Sequence, residues 1–183
     1  MIVFSKGRRP YGKTGFSLIE LLVVISIIGL LTGLVSVAVP RALRMAKVAK
    51  TRAEMTAILS AIKAYQSEYS RLPNPTADTT GGDVWLSGDD SKKLMMLLCG
   101  QDVNGQNPKK VRFLEGPDEN GNFQDPWKKG SDLGQYKVKL DLDGSGTVEY
   151  YGDINLTAIV ISFGDTGNQE SPSTSKTNLF SWK

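Results

Sequence analysis

The chain of 183 residues contains no histidine and a single cysteine, Cys99. Without histidine there is no imidazole for general acid–base chemistry, no Ser-His-Asp or Cys-His nucleophile and no His-ligated zinc. With one cysteine no intrachain disulfide can form. Cys99 lies in the apolar stretch Leu94-Met95-Met96-Leu97-Leu98-Cys99, and a free thiol in such surroundings is expected to be a buried core residue. No nucleophile–base constellation is present, so the sequence gives no reason to expect an enzyme.

Charge is unevenly placed. Lys6, Arg8, Arg9 and Lys13 stand in the first 15 residues with no acid among them. The remainder has 18 basic residues against 19 acidic, so the formal charge of +3 comes from the N-terminus. Nucleic-acid binding, which needs a broad basic surface, is not expected.

Hydrophobicity is just as uneven. Phe16 to Val39 is a run of 24 residues with one charge, Glu20. As a helix it would reach about 36 Å, enough for a hydrocarbon core of about 30 Å. The run is too long for the apolar region of a secretory signal. Arg8-Arg9 is followed at once by Pro10 and then by this long run, which disfavours a twin-arginine export signal. Basic residues before the span predict that the leader stays cytoplasmic and the C-terminal part faces outward.

An acid within an apolar span is costly and is expected to have a partner. Cleavage between Gly15 and Phe16 would create an ammonium four residues before Glu20. Within one chain helix geometry makes that pairing awkward; between staggered neighbouring chains it is natural. Gly29 and Gly33 form a small-xxx-small pair that allows close helix approach. Pro40 removes one helical hydrogen bond at the end of the run and is expected to bend or locally open the helix.

Lys13-Thr14-Gly15-Phe16-Ser17-Leu18-Ile19-Glu20 resembles the processing motif of type IV prepilins. The resemblance implies that a prepilin peptidase cuts after Gly15 and methylates Phe16. It also implies that Glu20 pairs with the N-terminus of an adjacent subunit. It favours a helix that continues through Pro40.

From Arg41 to Leu72 the sequence is strongly helical. Met55, Ile58, Ile62, Tyr65, Tyr69 and Leu72 recur every three or four residues and mark one apolar face. That face is expected to be core for an outer domain of about 110 residues. Pro73-Asn74-Pro75 stops the helix. The four predicted segments are therefore a leader (1–15), a membrane and assembly helix (16–40), an amphipathic extension (41–72) and an outer domain (73–183).

Within the outer domain, residues 76–90 read as a Gly/Thr/Asp-rich connection and 91–98 as a short helix. Residues 100–108 and 125–127 read as loops, and 111–114 as a short extended piece. Tyr136, Val138 and Leu140 alternate with Lys137, Lys139 and Asp141; Val148 and Tyr150 alternate with Glu149 and Tyr151. With the turn-rich residues between them, these predict a β-hairpin. Leu156–Phe163 is expected to be a third strand. The fold class expected is α+β, a long N-terminal helix packed on a small antiparallel sheet.

Tyr65–Pro73, Asp125-Pro126-Trp127, Val160–Gly167 and Asn178–Trp182 resemble the major pseudopilin of bacterial type II secretion systems. That resemblance implies a periplasmic pseudopilus built from this chain and other pseudopilins on an inner-membrane assembly platform. The lack of a cysteine pair separates the chain from many pilus pilins, whose outer domains are closed by a disulfide. A type IV pilus pilin and a membrane-anchored binding module that never polymerises are the alternatives.

Two loops are calcium candidates. The resemblance implies one in the C-terminal region, with Ser162, Asp165 and Asn178 as oxygen donors. The other is Asp141-x-Asp143-x-Ser145-Gly146-Thr147, with oxygens at every second residue and glycine at the turn, like the first half of an EF-hand loop. The distal Glu of a complete loop is absent, and a plain turn would use the same residues.

Overall fold

A computed structural model describes residues 15–76, 82–118, 120–127, 136–164 and 179–181. The chain divides into two units, one up to Leu43 and one from Arg44 onward.

Helix α1 (Leu18–Tyr69) continues through Pro40 and contributes to both units. In the first unit every described side chain is exposed, from Gly15 to Leu43. This portion is long and apolar enough to cross a membrane. The helix ends three residues earlier than expected. Ser70 adopts a left-handed φ of 53°, a conformation that terminates α-helices.

The second unit is built on the predicted stripe. Met55, Ile58, Ile62 and Tyr65 are fully buried, and Tyr69 and Leu72 are partly so. They share a core with Leu86, Leu94, Leu98, Val138, Leu140 and Val160. Helix α2 (Asp89–Leu98) matches the expected short helix. Asp89 and Asp90 in its first turn suit the helix dipole. Its buried face includes Leu94, Met95, Leu97 and Leu98, and Cys99 just beyond is buried as expected.

The sheet is antiparallel, in the order β1 (Val84–Leu86), β2 (Lys137–Leu140), β5 (Ala158–Ser162) and β6 (Leu179–Phe180). A separate two-stranded ribbon pairs β3 (Val148–Glu149) with β4 (Asp153–Ile154). This is the α+β arrangement the sequence predicts. The predicted hairpin between 136–140 and 148–150 is not formed. Both edges of β2 are taken, by β1 on one side and β5 on the other, while β3 turns back on β4. Strand β1 lies inside the segment read as a connection; three residues among Gly, Thr and Asp are too few for a periodic signal. Residues 111–114 form no strand, although Leu114 is buried and its N–H reaches the Leu98 carbonyl at 3.0 Å.

The alternation on β2 was also misleading. Lys139 and Asp141 are buried along with Val138 and Leu140. A central strand is covered on both faces, so period-two polarity does not mark a wet side there.

Candidate functional site

The N-terminal segment has a simple local geometry. Helix α1 starts at Leu18, making Ser17 its N-cap and Glu20 the third helical residue. Glu20 Oε2 accepts the backbone N–H of Ser17 at 2.9 Å. This is the returning half of a capping box, whose Ser-x-x-Glu spacing is present as Ser17-Leu18-Ile19-Glu20. Glu20 therefore satisfies one of the orphan N–H groups at the helix start, and its negative charge faces the positive end of the dipole. Phe16 is exposed and Gly15 has open space around it. The Gly15–Phe16 bond lies just before the helix, and among the described residues no side chain crowds the glycine.

A second cluster lies in the loop after β2. Side-chain oxygens of Asp83, Asp141 and Asp143 lie within 4.8 Å of one another. Asp141 is buried and anchors the loop. Its Oδ1 accepts Gly144 N–H at 2.9 Å and Ser145 N–H at 3.1 Å, and its Oδ2 accepts Gly146 N–H at 2.8 Å. Asp143 Oδ1 accepts Ser145 N–H at 2.8 Å, and that hydrogen bond is the largest cause lowering the Asp143 pKa. Ser145 Oγ donates to the Thr147 carbonyl at 3.0 Å and lies 3.1 Å from Thr147 Oγ1. The structure thus brings Asp141, Asp143, Ser145 and Thr147 together and adds Asp83, which no spacing pattern links to them. Asp83 precedes β1 and arrives only because β1 pairs with β2.

Lys139 completes this region. Its ammonium sits 3.0 Å from Asp83 Oδ2, donates to the Glu149 carbonyl and lies 5.8 Å from the Trp85 ring centroid. A carboxylate has about four acceptor directions, so Asp141 can hold the loop amides and still face an ion. The oxygen donor set fits calcium chemistry. Lys139 already supplies positive charge at Asp83, so an ion there would compete with the ammonium.

The C-terminal candidate is arranged differently. Ser162 is buried, and its hydroxyl donates to Asp125 Oδ2 and accepts Gly164 N–H at 3.3 Å. Its oxygen is thus committed inward. Asp165 and Asn178 lie outside the described residues.

Asp125, read from sequence only as part of a loop, belongs to a buried polar cluster. It also accepts Trp127 N–H at 3.1 Å. Tyr136 donates its phenol proton to Glu54 on α1. Burial raises the Asp125 pKa, and the nearby Glu54 charge adds to it; the bonds from Ser162 and Trp127 act in the opposite sense. Burial likewise pushes the Tyr136 phenol well up, reinforced by Glu54. The cluster ties α1, the 120–127 loop and the end of β5 together. Nothing in the local pattern around Asp125 signalled this, because Ser162 lies 37 residues from it in sequence and the Tyr136–Glu54 bond spans 82.

No curated protein and no solved structure matches the chain. Residues 12–36 match the family model described as the prokaryotic N-terminal methylation motif. The matched stretch contains Gly15, Phe16 and Glu20 and runs into the exposed apolar part of α1. Together the motif and the helix support a membrane-anchored, type IV pilin-like subunit, of the kind processed by prepilin peptidase and assembled by polymerisation.

Proposed function

We propose that this protein is a structural subunit of a type II secretion pseudopilus and acts by assembly, not by catalysis. The observation that carries the assembly reading is the methylation motif at the head of an exposed apolar helix. The narrower choice of pseudopilus rests on the sequence resemblance of residues 65–73, 125–127, 160–167 and 178–182, and on an outer unit that has one buried cysteine and no disulfide. In this reading the leader is cytoplasmic and the outer unit periplasmic. The partners are further copies of the chain, other pseudopilins, the prepilin peptidase and an inner-membrane assembly platform.

The mechanism follows from the N-terminus. Cleavage after Gly15 leaves the Phe16 ammonium at the head of the apolar helix. Glu20 of one copy, in hydrocarbon, is stabilised when it meets that ammonium on a neighbour. Calcium, where bound, would be held by Asp141 and Asp143 with Asp83 and Ser145 beside them, and would tie the loop after β2 to the start of β1.

Intact-mass analysis of membrane-extracted protein should show loss of residues 1–15 and gain of one methyl group. A mature protein starting at Met1, in a host with the peptidase, would overturn the processing step. The Glu20 role has two physical versions, cap or intersubunit charge partner. Glu20→Gln keeps the capping geometry and loses the charge; Glu20→Val loses both. Both variants should insert and fail to yield pelletable filaments. Assembly of Glu20→Gln at the wild-type level would reduce Glu20 to a helix cap. Long filaments on the cell surface at native expression would replace the pseudopilus with a type IV pilus.

A further inference from the structure

A cleft of about 550 Å³ lies in the outer unit between the end of α1 and the loop after β2. That volume is within the range of about 300–1,000 Å³ for small-ligand sites. Gln66 in the last turn of α1, Arg71 and Leu72 line it from the helix side; Leu142 and Thr157 line it from the sheet side. The lining is braced from behind. Asn74 N–H donates to Gln106 Oε1 at 2.8 Å, and Gln106 Nε2 donates to the Asn74 carbonyl at 2.6 Å. Asp141 N–H donates to the Thr157 carbonyl at 3.0 Å, which holds the loop against β5.

Three polar side chains in this lining have hydrogen-bonding capacity to spare. Gln66 and Thr157 are half-buried, and neither the carboxamide nor the hydroxyl has a hydrogen bond among the described residues. Arg71 is exposed and forms no ion pair among the described residues. Burial raises the Tyr65 pKa, and the adjacent Arg71 guanidinium works in the opposite sense. The phenol itself donates to the Gln106 carbonyl at 2.7 Å. A guanidinium has five donors, so Arg71 can serve Tyr65 and still present a fork of two parallel N–H groups.

That set selects a ligand by charge and by shape. The fork fits a planar carboxylate, and the Gln66 amide and Thr157 hydroxyl can donate to the same oxygens. Leu72 and Leu142 pack on the hydrophobic core and offer an apolar floor for whatever carries the carboxylate. Asp141 is the one acid in the lining, and both its oxygens accept loop N–H groups. Its remaining charge repels a dianionic phosphate about twice as strongly as a carboxylate.

We propose that this cleft binds a carboxylate carried on an apolar group, with Arg71 as its anchor and Gln66 and Thr157 as supporting donors. A branched small acid and the C-terminus of a peptide ending in leucine share that chemistry. The site does not depend on filament assembly, and its failure would leave the assembly reading untouched.

The test uses the isotope-labelled full chain in zwitterionic detergent micelles, titrated by NMR with acetyl-Ala-Ala-Leu bearing a free C-terminus. Backbone resonances of Gln66, Leu142 and Thr157 should shift together. The C-terminal amide of the same peptide should bind at least about tenfold more weakly, as should the free acid to Arg71→Gln, since a charge-assisted hydrogen bond is lost in each case. Thr157→Val should weaken binding about threefold, and inorganic phosphate should not compete. Equal affinity for 4-methylpentanoate would assign the site to a free small acid; weaker binding of that acid would assign it to a peptide terminus. Equal binding of acid and amide would overturn the proposal, as would shifts confined to other parts of the chain. Unchanged affinity in Arg71→Gln would overturn it too. Should Arg71→Gln lose native dispersion, the acid–amide pair on the wild-type chain and Thr157→Val decide the matter.

Discussion

Ile25 and Ile58 sit on the same helix and have opposite surroundings. Ile25 is 59% exposed, and Ile58 is completely buried. Up to Val39 the helix is apolar on all sides apart from Glu20, and no described side chain up to Leu43 is buried by the rest of the protein. From Thr51 the helix is amphipathic, and its apolar side is covered by α2, β1, β2 and β5 of the same chain. A helix that is apolar all round must be covered by something other than water. In this chain that cover comes from outside the molecule for one half and from inside it for the other. Stability and assembly are thus separable properties of one continuous element.

The sharpest way to break that separation is a matched pair of truncations. Ile58→Ala should lower the unfolding free energy of the outer unit by about 2–5 kcal/mol, the range for large-to-small changes in a packed core. Ile25→Ala should leave the melting of the outer unit within about 0.5 kcal/mol of wild type. Tryptophan fluorescence during thermal unfolding in micelles reads both, since all three tryptophans lie beyond residue 84. A comparable loss from Ile25→Ala would mean that the two halves are energetically joined.

Calcium should act on the second half alone. If it binds, the full chain in micelles melts higher with calcium than with chelator. The gain is about 2.7 kcal/mol when free ion exceeds the dissociation constant a hundredfold. Asp143→Asn, which keeps the turn's acceptor and removes the charge, should abolish most of that gain. If Asp165→Ala abolishes it instead, the ion belongs to the C-terminal loop. Identical melting with calcium and chelator would leave both segments as turns.

Glycines make the same comparison on a smaller scale. Gly121 has φ +72°, and a Cβ there would meet the Lys92 carbonyl oxygen at 2.3 Å and Met96 Cγ at 2.7 Å. Gly121→Ala should cost about 1–3 kcal/mol by forcing the loop away from α2. A Cβ on Gly29 meets nothing within 4 Å. Gly29→Ala should leave the melting of the outer unit unchanged and affect filament yield, if close helix approach between copies uses that position.

The smallest expected effect is a pH dependence. Asp125 has its pKa raised by burial above an ordinary value of 3.8. Above that ordinary value the folded state holds a proton that the unfolded chain has released. Stability should therefore fall as pH rises from about 4 through the raised pKa, then level off. Exposed Asp118 and Asp143, with lowered values, contribute slopes of the opposite sign. Comparison with Asp125→Asn isolates the buried group: the variant should lack its falling component. Parallel pH profiles for the two proteins would show that Asp125 does not titrate between the folded and unfolded states.

Much of the fold was legible because its signals are local. The stripe from Met55 to Tyr65 has helical period, α2 is bounded by Gly88 and Gly100, and Ala158–Ser162 is a short apolar run. The pairing of β2 was misread because alternation reports burial on one face and says nothing about which strand lies alongside. Lys139 shows the cost of that rule: its charge predicted a wet position, and Asp83 and the Glu149 carbonyl supply partners inside the structure. Around the candidate loop, Asp141, Asp143, Ser145 and Thr147 were readable from spacing. Asp83 was not, since its approach depends on the register Val84↔Leu140.

Local sequence alone establishes a basic N-terminus, a Gly15-Phe16 junction at its end, an apolar span of membrane length with one acid in its first turns, and an amphipathic continuation. Each depends on residues within a few turns of one another, where helix geometry alone fixes the consequences. Tertiary structure decided what sequence separation hides: which strands flank β2, that Ser162 turns inward to Asp125, and that Lys139 and Asp83 meet. Those outcomes depend on long-range contacts that remove polar groups from water, and a buried polar group is tolerable only where the fold delivers its partner.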